Sequence, residues 1–219
     1  MDNYAAARLN MVESQVRPSD VTDARIMRAM SRLPREKFVP PAWRNVAYMD
    51  ESIPLADHGA SSLMEPRAFA KLVQLASVTE NDLVLDIGCG LGYSSAVLAQ
   101  LAGSVVALEA DGELVTNANE ILSSLEVGNV AVVEGELSGG VAKEGPYDVI
   151  FLNGSVEIVP DALFGQLNDN GRLVAVIKEP TRSTAWLYEK SGELVNGRPA
   201  FDARIQPLPG FEQKQAFVF

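Results

Sequence analysis

Cysteine is nearly absent from this 219-residue sequence, in which Cys89 is the only one. A single cysteine excludes an intramolecular disulfide and a metal site built from cysteines. Cys89 stands inside a glycine-rich turn, where a small side chain fits, and no neighbouring base or cation in the sequence would activate it as a nucleophile. We therefore expect neither disulfide nor thiol chemistry.

Long apolar runs are lacking too. No segment reaches the roughly 18 consecutive apolar residues that a membrane-spanning helix requires. The residues Met1–Tyr4 do not form the basic segment followed by an apolar one that opens a secretion signal. The sequence therefore predicts a cytoplasmic protein without a membrane partner.

Positive charge is the third shortage, since the net charge is −11 at pH 7. Nucleic acids and anionic membranes both bind basic protein surfaces, so this charge argues against either as a partner. One cluster of basic residues is interpreted as a solvated helix face, because its first three members fall at helical spacing. The cluster consists of Arg25, Arg28, Arg32, Arg35 and Lys37.

The remaining composition is that of an ordinary globular protein, with 47% hydrophobic and 21% charged residues. The length suffices for one α/β domain with a buried core. We predict a single domain over residues 1–219, with an N-terminal helical extension over 1–80 that covers a ligand-binding sheet over 81–219.

The stretch Leu83–Ser95 carries the most informative motif in the chain. Its apolar run Leu83–Ile87 is typical of a buried strand, and three glycines follow at alternate positions, Gly88, Gly90 and Gly92, before a helix-forming segment. A strand, a glycine turn and a helix start form a cradle for a small, partly anionic ligand.

The glycine spacing is G-x-G-x-G, whereas a dinucleotide site requires G-x-G-x-x-G. This shorter spacing, preceded by an acid at the strand end, resembles the S-adenosylmethionine site of Rossmann-like methyltransferases, in which the turn lies against the methionine part of the cofactor. A plain turn between strand and helix is the alternative. We assign to cofactor binding Asp86, Gly88, Cys89, Gly90 and Gly92.

A second signal comes from Glu109, which ends the apolar segment Ser104–Glu109. A carboxylate at the end of the second strand of such a unit, about 20 residues downstream, can accept hydrogen bonds from both ribose hydroxyls. The alternative is an exposed acid at a strand end. Because Glu109 is in register with the glycine turn, we assign it to the cofactor ribose.

Strand and helix patterns alternate after residue 82, which predicts an α/β fold with a doubly wound, mostly parallel sheet of seven strands. Five parallel strands are predicted over Leu83–Ile87, Val105–Glu109, Val130–Glu134, Asp148–Leu152 and Arg172–Ile177. An antiparallel pair or trio follows, from Trp186–Glu189, Phe201–Ile205 and Ala216–Phe219. Ligands of such sheets bind at the carboxyl ends of the strands.

Helix signals flank these strands. Apolar spacing predicts a helix over 5–16 that Pro18 ends, and Asn170-Gly171 predicts a turn before the fifth strand. The other predicted helix boundaries are a cap at Thr22 or Asp23, a stop at Pro34, starts at Pro66 and Pro160, and a cap at Asp111.

Several short blocks, in this order, resemble protein-L-isoaspartate O-methyltransferases: Met11–Arg17, Asp23–Met30, Pro34–Pro40, Ala47–Asp50, the glycine turn, Pro146–Asp148 and Gln166–Val174. The resemblance covers nearly the whole chain. It implies S-adenosylmethionine as methyl donor, S-adenosyl-L-homocysteine as product, and an isoaspartyl-containing peptide or protein as acceptor. Repair of damaged proteins is the activity expected from it.

The acceptor region departs from that family's pattern. Where the family has a run like Gly-Gln-Thr-Ile-Ser-Gln-Pro, this chain has Gly59–Pro66, with Ser62 at the threonine and Met64 at the serine. We assign Ser61 and Ser62 to positioning the acceptor and the methyl group, although serines in an ordinary turn are an equal alternative. The acceptor is therefore less firmly predicted than the cofactor.

Three further cofactor residues follow from the resemblance. Gly135 and Glu136 occupy the place of a Gly-Asp-Gly run, and we assign Glu136 to the adenine edge, with a solvent-facing acid as the alternative. Asn153 is assigned to the cofactor site, where it can also face the acceptor or bond within its own loop. A magnesium site would need a carboxylate near position 153, so we expect no metal.

The near absence of histidine is compatible with methyl transfer to a carboxylate, which is ionised at pH 7 and needs no general base. His58 adjoins the acceptor loop as a surface residue, a base or a hydrogen-bond donor. Three hypotheses remain: isoaspartyl repair, the same cofactor with another acceptor such as a small carboxylate or hydroxyl compound, and a cofactor-binding protein without turnover. The oligomeric state stays unknown.

Overall fold

The computed structural model describes residues 4–56 and 61–213 of the chain. The predictions for His58, for the start of the acceptor loop at Gly59, and for the strand Ala216–Phe219 lie outside the described residues. No helix among the residues described is long and apolar enough to cross a membrane.

The N-terminal extension is helical, but its first helix changes hydrogen-bond pattern before it ends. Helix α1 covers Tyr4–Met11, and a π-helical turn over Val12–Val16 and a 3₁₀ turn over Arg17–Ser19 follow it. The helix predicted over 5–16 is therefore present, but its second half is π-helical. Pro18 lies in the 3₁₀ turn, because proline has no amide hydrogen to continue an α-helix.

Helix α2 covers Ala24–Arg32 and starts where the sequence predicts. The carboxylate of Asp23 accepts a hydrogen bond from the Arg25 amide at 2.8 Å and caps the helix. Two 3₁₀ turns follow, over Arg35–Phe38 and Pro41–Val46. Three arginines of the basic cluster are exposed as expected, namely Arg25, Arg28 and Arg32.

A short hairpin connects the extension to the sheet. Strand β1, Ile53–Pro54, pairs antiparallel with β2, Ser62–Leu63. Helix α3 then covers Pro66–Ala76 and, as predicted, starts with proline in its first turn. Its apolar side chains are buried against the sheet, among them Phe69.

The central sheet has seven strands in the order β5-β4-β3-β6-β7-β8-β9, which confirms the predicted fold class. The strands are β3 Leu83–Ile87, β4 Ser104–Glu109, β5 Val130–Glu134, β6 Tyr147–Val156, β7 Leu167–Lys178, β8 Ser183–Ser191 and β9 Leu194–Asp202. Strands β3 to β7 are parallel to one another, and β8 and β9 add an antiparallel hairpin at one edge.

Helices cover both faces of this sheet. Helix α4, Tyr93–Ala99, and helix α5, Gly112–Ser124, pack with α3 and the extension in one apolar core. The short helix α6, Asp161–Gly165, and the segment after β9 contribute to a second core on the other face. Alternate residues of the central strands point into the two cores, as in a doubly wound sheet.

Two strands are longer than predicted because the sheet continues through irregular positions. The predicted turn at Asn170-Gly171 was wrong: Asn170, with φ at +62°, lies within β7 between the register positions Leu167 and Arg172. Likewise β6 continues past Leu152 through a register shift and pairs again at Ser155. Bulges of this kind use the same residue types as turns.

The first C-terminal strand was predicted in the right place, within β8, but the second was misplaced. The second strand of the hairpin is Leu194–Asp202, so the predicted strand over 201–205 begins only where β9 ends. The chain then runs back across the sheet, where Ser155 forms a parallel bridge to Pro207. This return places residues after β9 at the carboxyl end of β6.

Candidate functional site

The glycine turn after β3 requires glycine for its conformation and is closely packed by two leucine side chains. Gly88, Gly90 and Gly92 have φ values of +77°, +56° and +91°, which side chains disfavour. A Cβ atom on Gly90 would lie 2.4 Å from Cδ1 of Leu55, and one on Gly88 would lie 2.5 Å from Cδ2 of Leu208. The turn is therefore covered closely by the extension on one side and the C-terminal segment on the other.

The amides of the turn are partly used within the fold. Gly88 and Cys89 both donate to the carbonyl of Leu108, at 2.8 and 3.2 Å, which ties the turn to β4. The Cys89 side chain is buried, and burial raises the pKa of its thiol. A buried thiol with a raised pKa is a poor nucleophile, in agreement with the sequence analysis.

Asp86 is fully buried at the end of β3 and keeps one free acceptor. Its Oδ2 accepts hydrogen bonds from the hydroxyls of Ser94 and Ser95, each at 2.6 Å. Its Oδ1 is buried and has no partner among the described residues. Burial raises the pKa of Asp86 to about 6, although the two hydroxyl bonds lower it and nearby Glu109 raises it further.

Asn153 lies across the turn from Asp86 and shares a partner with it. Its side-chain nitrogen donates to the carbonyl of Gly88 at 3.1 Å and to Oγ of Ser94 at 2.9 Å. Its Oδ1, like Oδ1 of Asp86, is buried without a partner among the described residues. Because orphaned buried acceptors are costly, this pair indicates a site for a ligand with hydrogen-bond donors.

Glu109 is also buried, and both of its carboxylate oxygens face backbone amides. Oε2 accepts from Gly90 at 2.8 Å, and Oε1 accepts from Ala110 at 2.8 Å and from Asp111 at 3.3 Å. A carboxylate oxygen has two lone-pair positions, so Oε2 can take a further donor beside the Gly90 bond. The predicted alternative of an exposed acid at this strand end was wrong, since the residue is 1% exposed.

Gly135 and Glu136 follow β5, the strand next to β4. The Gly135 amide donates to the Glu109 carbonyl at 3.0 Å, which places this loop beside the turn. Glu136 is exposed, and its Oε1 accepts from the hydroxyl of Ser138 at 2.9 Å. The loop that carries Gly135 and Glu136 therefore lies next to Glu109. The Glu136 carboxylate is hydrogen-bonded to a residue of the 3₁₀ turn that follows it, Leu137–Gly139.

The acceptor loop is described from Ser61 onward. Ser61 and Ser62 are half-buried, and the Ser61 carbonyl accepts from the Leu55 amide at 3.1 Å. The Met64 side chain is 3% exposed and belongs to the apolar core. Since Leu55 also contacts the glycine turn, the loop that carries both serines is attached directly to the cover of the cradle.

Sequence reasoning missed Arg35, which is fully buried and joins three segments of the site. Its Nε donates to the carbonyl of Ala47 at 2.7 Å, and its Nη2 donates to the carbonyl of Met64 at 2.6 Å. Its guanidinium lies 4.8 Å from the ring centroid of Tyr93, the first residue of α4. Burial lowers the pKa of this guanidinium. The interpretation of Arg35 as part of a basic surface cluster was therefore wrong.

The segment after β9 is the second element that sequence reasoning missed. Leu208 packs on Gly88, and its amide donates to the Ser155 carbonyl at 2.8 Å. The Ser155 hydroxyl in turn donates to the carbonyl of Ile205 at 3.0 Å. Gly154 leaves room for this segment, because a Cβ atom there would lie 2.6 Å from Cγ of Leu208.

A cavity of ≈ 740 Å³ opens beside the turn, between the extension and α5. Leu91 of the turn, Leu55 and Asp111 line it, and Asp111 is two residues after Glu109 in the chain. The cavity is large enough for a small-molecule ligand. It lies next to the glycine turn and is lined on its other side by residues of α5.

Comparisons with known proteins point to one family. A family model described as protein-L-isoaspartate(D-aspartate) O-methyltransferase matches residues 7–210. A protein-L-isoaspartate O-methyltransferase of Koribacter versatilis (strain Ellin345) is 31% identical over 210 residues, which are 96% of this chain and 94% of that protein. One of Syntrophus aciditrophicus (strain SB) is 37% identical over 174 residues, 80% of this chain and 79% of that protein.

Solved structures show the same fold. One titled protein-L-isoaspartate O-methyltransferase superposes with a TM-score of 0.80 at 27% identity, covering 94% of this chain and 66% of that chain. Another, from Plasmodium falciparum, is titled as a β-aspartate methyltransferase in complex with S-adenosyl-L-homocysteine, with a TM-score of 0.77 at 18% identity. It covers 92% of this chain and 97% of that chain.

Proposed function

The chain belongs to the protein-L-isoaspartate O-methyltransferase family, and we propose that it methylates the free carboxylate of isoaspartyl residues in polypeptides. As a member of this family it is an S-adenosylmethionine-dependent carboxyl O-methyltransferase. The observation that carries the proposal for this chain is the pair of orphaned acceptors, Oδ1 of Asp86 and Oδ1 of Asn153, beside the glycine turn.

The two acceptors fit the ammonium group of the cofactor's methionine part. An ammonium has three donors and no acceptor, so it complements two buried oxygens that lack donors. We assign it to Asp86 and Asn153, with Ser94 and Ser95 orienting the Asp86 carboxylate. Ionised Asp86 also offsets the positive charge, which a neutral side chain would not do.

The remaining contacts extend along the carboxyl ends of the strands. Gly88, Cys89, Gly90 and Gly92 supply the backbone of the turn to the ligand, and the three glycines adopt the positive φ values that this turn requires. Glu109 is assigned to the ribose hydroxyls, and Gly135 and Glu136 to the adenine edge. The order of these groups follows the sheet order β6-β3-β4-β5.

S-adenosylmethionine supplies an electrophilic methyl group bonded to a positively charged sulfur. A carboxylate oxygen of the acceptor forms the new bond to the methyl carbon while the carbon–sulfur bond breaks, and S-adenosyl-L-homocysteine leaves as a neutral thioether. The acceptor is already ionised at pH 7, so no side chain has to remove a proton. Catalysis then depends on alignment and on exclusion of water.

We assign that alignment to the acceptor loop and its supports. Ser61 and Ser62 supply hydroxyl donors for the acceptor carboxylate, and the buried Met64 side chain anchors the loop in the core. Leu55 and Leu208 cover the glycine turn and keep water from the cradle. The net charge of −11 supports a polypeptide acceptor over nucleic acid.

The test uses two peptides that differ only in an isoaspartyl or an aspartyl residue, with radiolabelled S-adenosylmethionine. We expect label in the isoaspartyl peptide and none above background in its aspartyl twin. Binding of S-adenosyl-L-homocysteine, measured by calorimetry on the same preparation, is the control for an intact cofactor site. A protein that binds this product but labels neither peptide would contradict isoaspartyl methylation and favour a different acceptor.

A further inference from the structure

A groove runs between α3 and β9, on the surface next to the acceptor loop. Its deeper part, ≈ 420 Å³, is lined by Glu65, Arg67, Lys71, Phe201 and Arg204, among others. A second part of ≈ 290 Å³ shares Lys71 and Phe201 and continues towards Arg198. We call the two parts together the α3–β9 groove.

The α3–β9 groove begins at the acceptor loop. Glu65 directly follows Met64 in that loop, and the opposite wall ends at Arg204, one residue before Ile205. The Ile205 carbonyl is hydrogen-bonded to Ser155 of β6, two residues after Asn153. A polypeptide with its reactive residue at the acceptor loop can therefore continue into this groove.

Four cationic side chains face three carboxylates in the groove, in a protein that is acidic as a whole. Lys71 lies over the ring of Phe201, 4.4 Å from its centroid, and neither Lys71 nor Arg204 has an ion-pair partner among the described residues. Arg67 is paired with Asp50 at 3.2 Å, and Arg198 lies 3.9 Å from Glu189. Two cations are thus available to a ligand.

The carboxylates of the groove are fewer and partly engaged. Asp202 accepts a hydrogen bond from the hydroxyl of Thr184 at 3.2 Å, and Asp20 lies at the far end of the groove. Glu65 is half-buried between the groove and the core, and burial raises its pKa. Lys71 and Arg204 are therefore the unpaired cations in the middle of the groove, where exposed Asp202 is the neighbouring carboxylate.

The isoaspartyl residue is itself an anion, so it approaches a protein of net charge −11 against repulsion. A local basic surface beside the acceptor loop reduces that repulsion where the polypeptide lies. The ring of Phe201 supplies an apolar floor, and Lys71 and Arg204 supply donors for carboxylates. The complementary ligand is an acidic polypeptide segment.

We propose that the α3–β9 groove binds the polypeptide segment next to the isoaspartyl residue and favours acidic side chains in that segment. The proposal rests on the proposed function. It assigns to this chain a preference among isoaspartyl substrates, set by Lys71 and Arg204. Ion pairs of half-exposed groups change affinity by roughly two- to fivefold each, so the preference is measurable.

The experiment uses three isoaspartyl peptides of equal length: one with two glutamates before the isoaspartyl residue, one with two glutamates after it, and one with glutamines in all four positions. We measure kcat/KM for each with the wild type, with Lys71→Gln and with Arg204→Gln. Lys143→Gln is the matched control, because Lys143 is exposed, lies outside the groove and changes the net charge equally. Thermal melting of each variant shows that it is folded.

We expect the wild type to prefer one glutamate peptide over the glutamine peptide by roughly two- to fivefold per engaged cation. This ratio should fall towards one in Lys71→Gln or Arg204→Gln, stay at the wild-type value in Lys143→Gln, and shrink near 1 M salt, where the Debye length is about 3 Å. Equal kcat/KM for all three peptides would overturn the proposed preference of the groove for acidic segments and leave the proposal of isoaspartyl methylation intact.

If no peptide is methylated, the proposal of isoaspartyl methylation fails. The proposal for the groove is then tested by peptide binding. Calorimetry of the same three peptides on protein loaded with S-adenosyl-L-homocysteine then decides. Tighter binding of a glutamate peptide that depends on Lys71 or Arg204 supports the groove. Equal affinity for all three peptides overturns the proposal for the groove.

Discussion

The backbone amide of Gly90 donates to Oε2 of Glu109 at 2.8 Å, so the glycine turn and the acid on the next strand form one structural unit. The bond crosses from the end of β3 to the end of β4. It fixes the carboxylate beside the turn before any ligand arrives. Preorganisation of this kind lowers the cost of binding, because the side chain loses no further freedom.

The first prediction concerns Glu109. Glu109→Gln keeps the size of the side chain but removes its charge and one acceptor, so we expect S-adenosyl-L-homocysteine to bind at least about tenfold more weakly. Glu134 pairs with Glu109 in register on β5 and is exposed, so Glu134→Gln is the matched control. Calorimetry measures the affinity of both variants for S-adenosyl-L-homocysteine. Equal weakening in the two variants would contradict the assignment of the ribose to Glu109.

The second prediction is a pH dependence of cofactor binding that originates at Asp86. Burial raises the pKa of this carboxyl to about 6, so below that pH the free protein holds Asp86 protonated. The ammonium of the cofactor requires the ionised form, so affinity should rise with pH up to about 6 and then level off. Calorimetry in buffers of different ionisation enthalpy should detect proton release on binding near pH 5.5 to 6, roughly half to one proton.

Asp86→Asn supplies the control for that dependence. The amide is isosteric and does not titrate in this range, so we expect weaker binding at neutral pH and no proton release. The raised pKa also means that the folded state binds more protons than the unfolded one between about pH 4 and 6, so the Asp86 contribution to stability falls as pH rises through that window. A wild-type affinity that is flat across this window would contradict the assignment of the ammonium to Asp86.

The cradle could be predicted from the sequence because its signals are local. Three glycines at alternate positions and an acid at each of two strand ends depend only on spacing within one βαβ unit. The seven-stranded sheet followed in the same way from alternating apolar segments. Glu109 needed no tertiary information beyond the rule that parallel strands end at one edge.

Arg35 could not be predicted in this way, because its burial depends on three segments that are remote in sequence. Its partners are the carbonyls of Ala47 and Met64 and the ring of Tyr93. Nothing in the local run of basic residues distinguishes it from exposed Arg32. The bulge at Asn170 was missed for a different reason: Asn-Gly has the same local preference in a turn and in a bulge.

The third prediction concerns Arg35 as a positioning residue for the acceptor loop. Arg35→Met leaves the carbonyls of Ala47 and Met64 without their donor, so the free energy of unfolding should fall by about 2 kcal/mol or more. Arg35→Lys keeps the charge and one donor group and should recover part of this loss. Exposed Arg28→Met should change stability by less than about 0.5 kcal/mol. Urea denaturation measures all three.

The same variants test whether Arg35 acts on the acceptor. Since Arg35 holds the Met64 carbonyl, Arg35→Lys should raise KM for an isoaspartyl peptide more than it weakens binding of S-adenosyl-L-homocysteine. A merely structural role would lower the folded fraction and leave KM unchanged. Equal changes in peptide KM and cofactor affinity would contradict positioning of the loop by Arg35.

The fourth prediction separates the two reasons for glycine at position 90. Gly90→Ala places a side chain at φ +56°, which costs about 1 to 2 kcal/mol, and puts a Cβ atom 2.4 Å from Cδ1 of Leu55. Because Leu55 is bonded to the acceptor loop, its displacement should also reduce methylation. Gly165→Ala, in α6 with nothing near the new Cβ atom, should leave both stability and activity close to the wild type.

Adding Leu55→Ala to Gly90→Ala removes the contact but not the backbone strain. If the contact with Leu55 dominates, the double variant should be more stable than the sum of the two single losses, with a coupling of about 0.5 kcal/mol or more. If the backbone conformation dominates, the losses should add. Additive losses together with full methylation in Gly90→Ala would mean that the cover at Leu55 moves independently of the acceptor loop. A positive coupling together with reduced methylation would place the cradle, Leu55 and the acceptor loop in one mechanical unit, in which the fit around the methyl donor also sets the position of the acceptor.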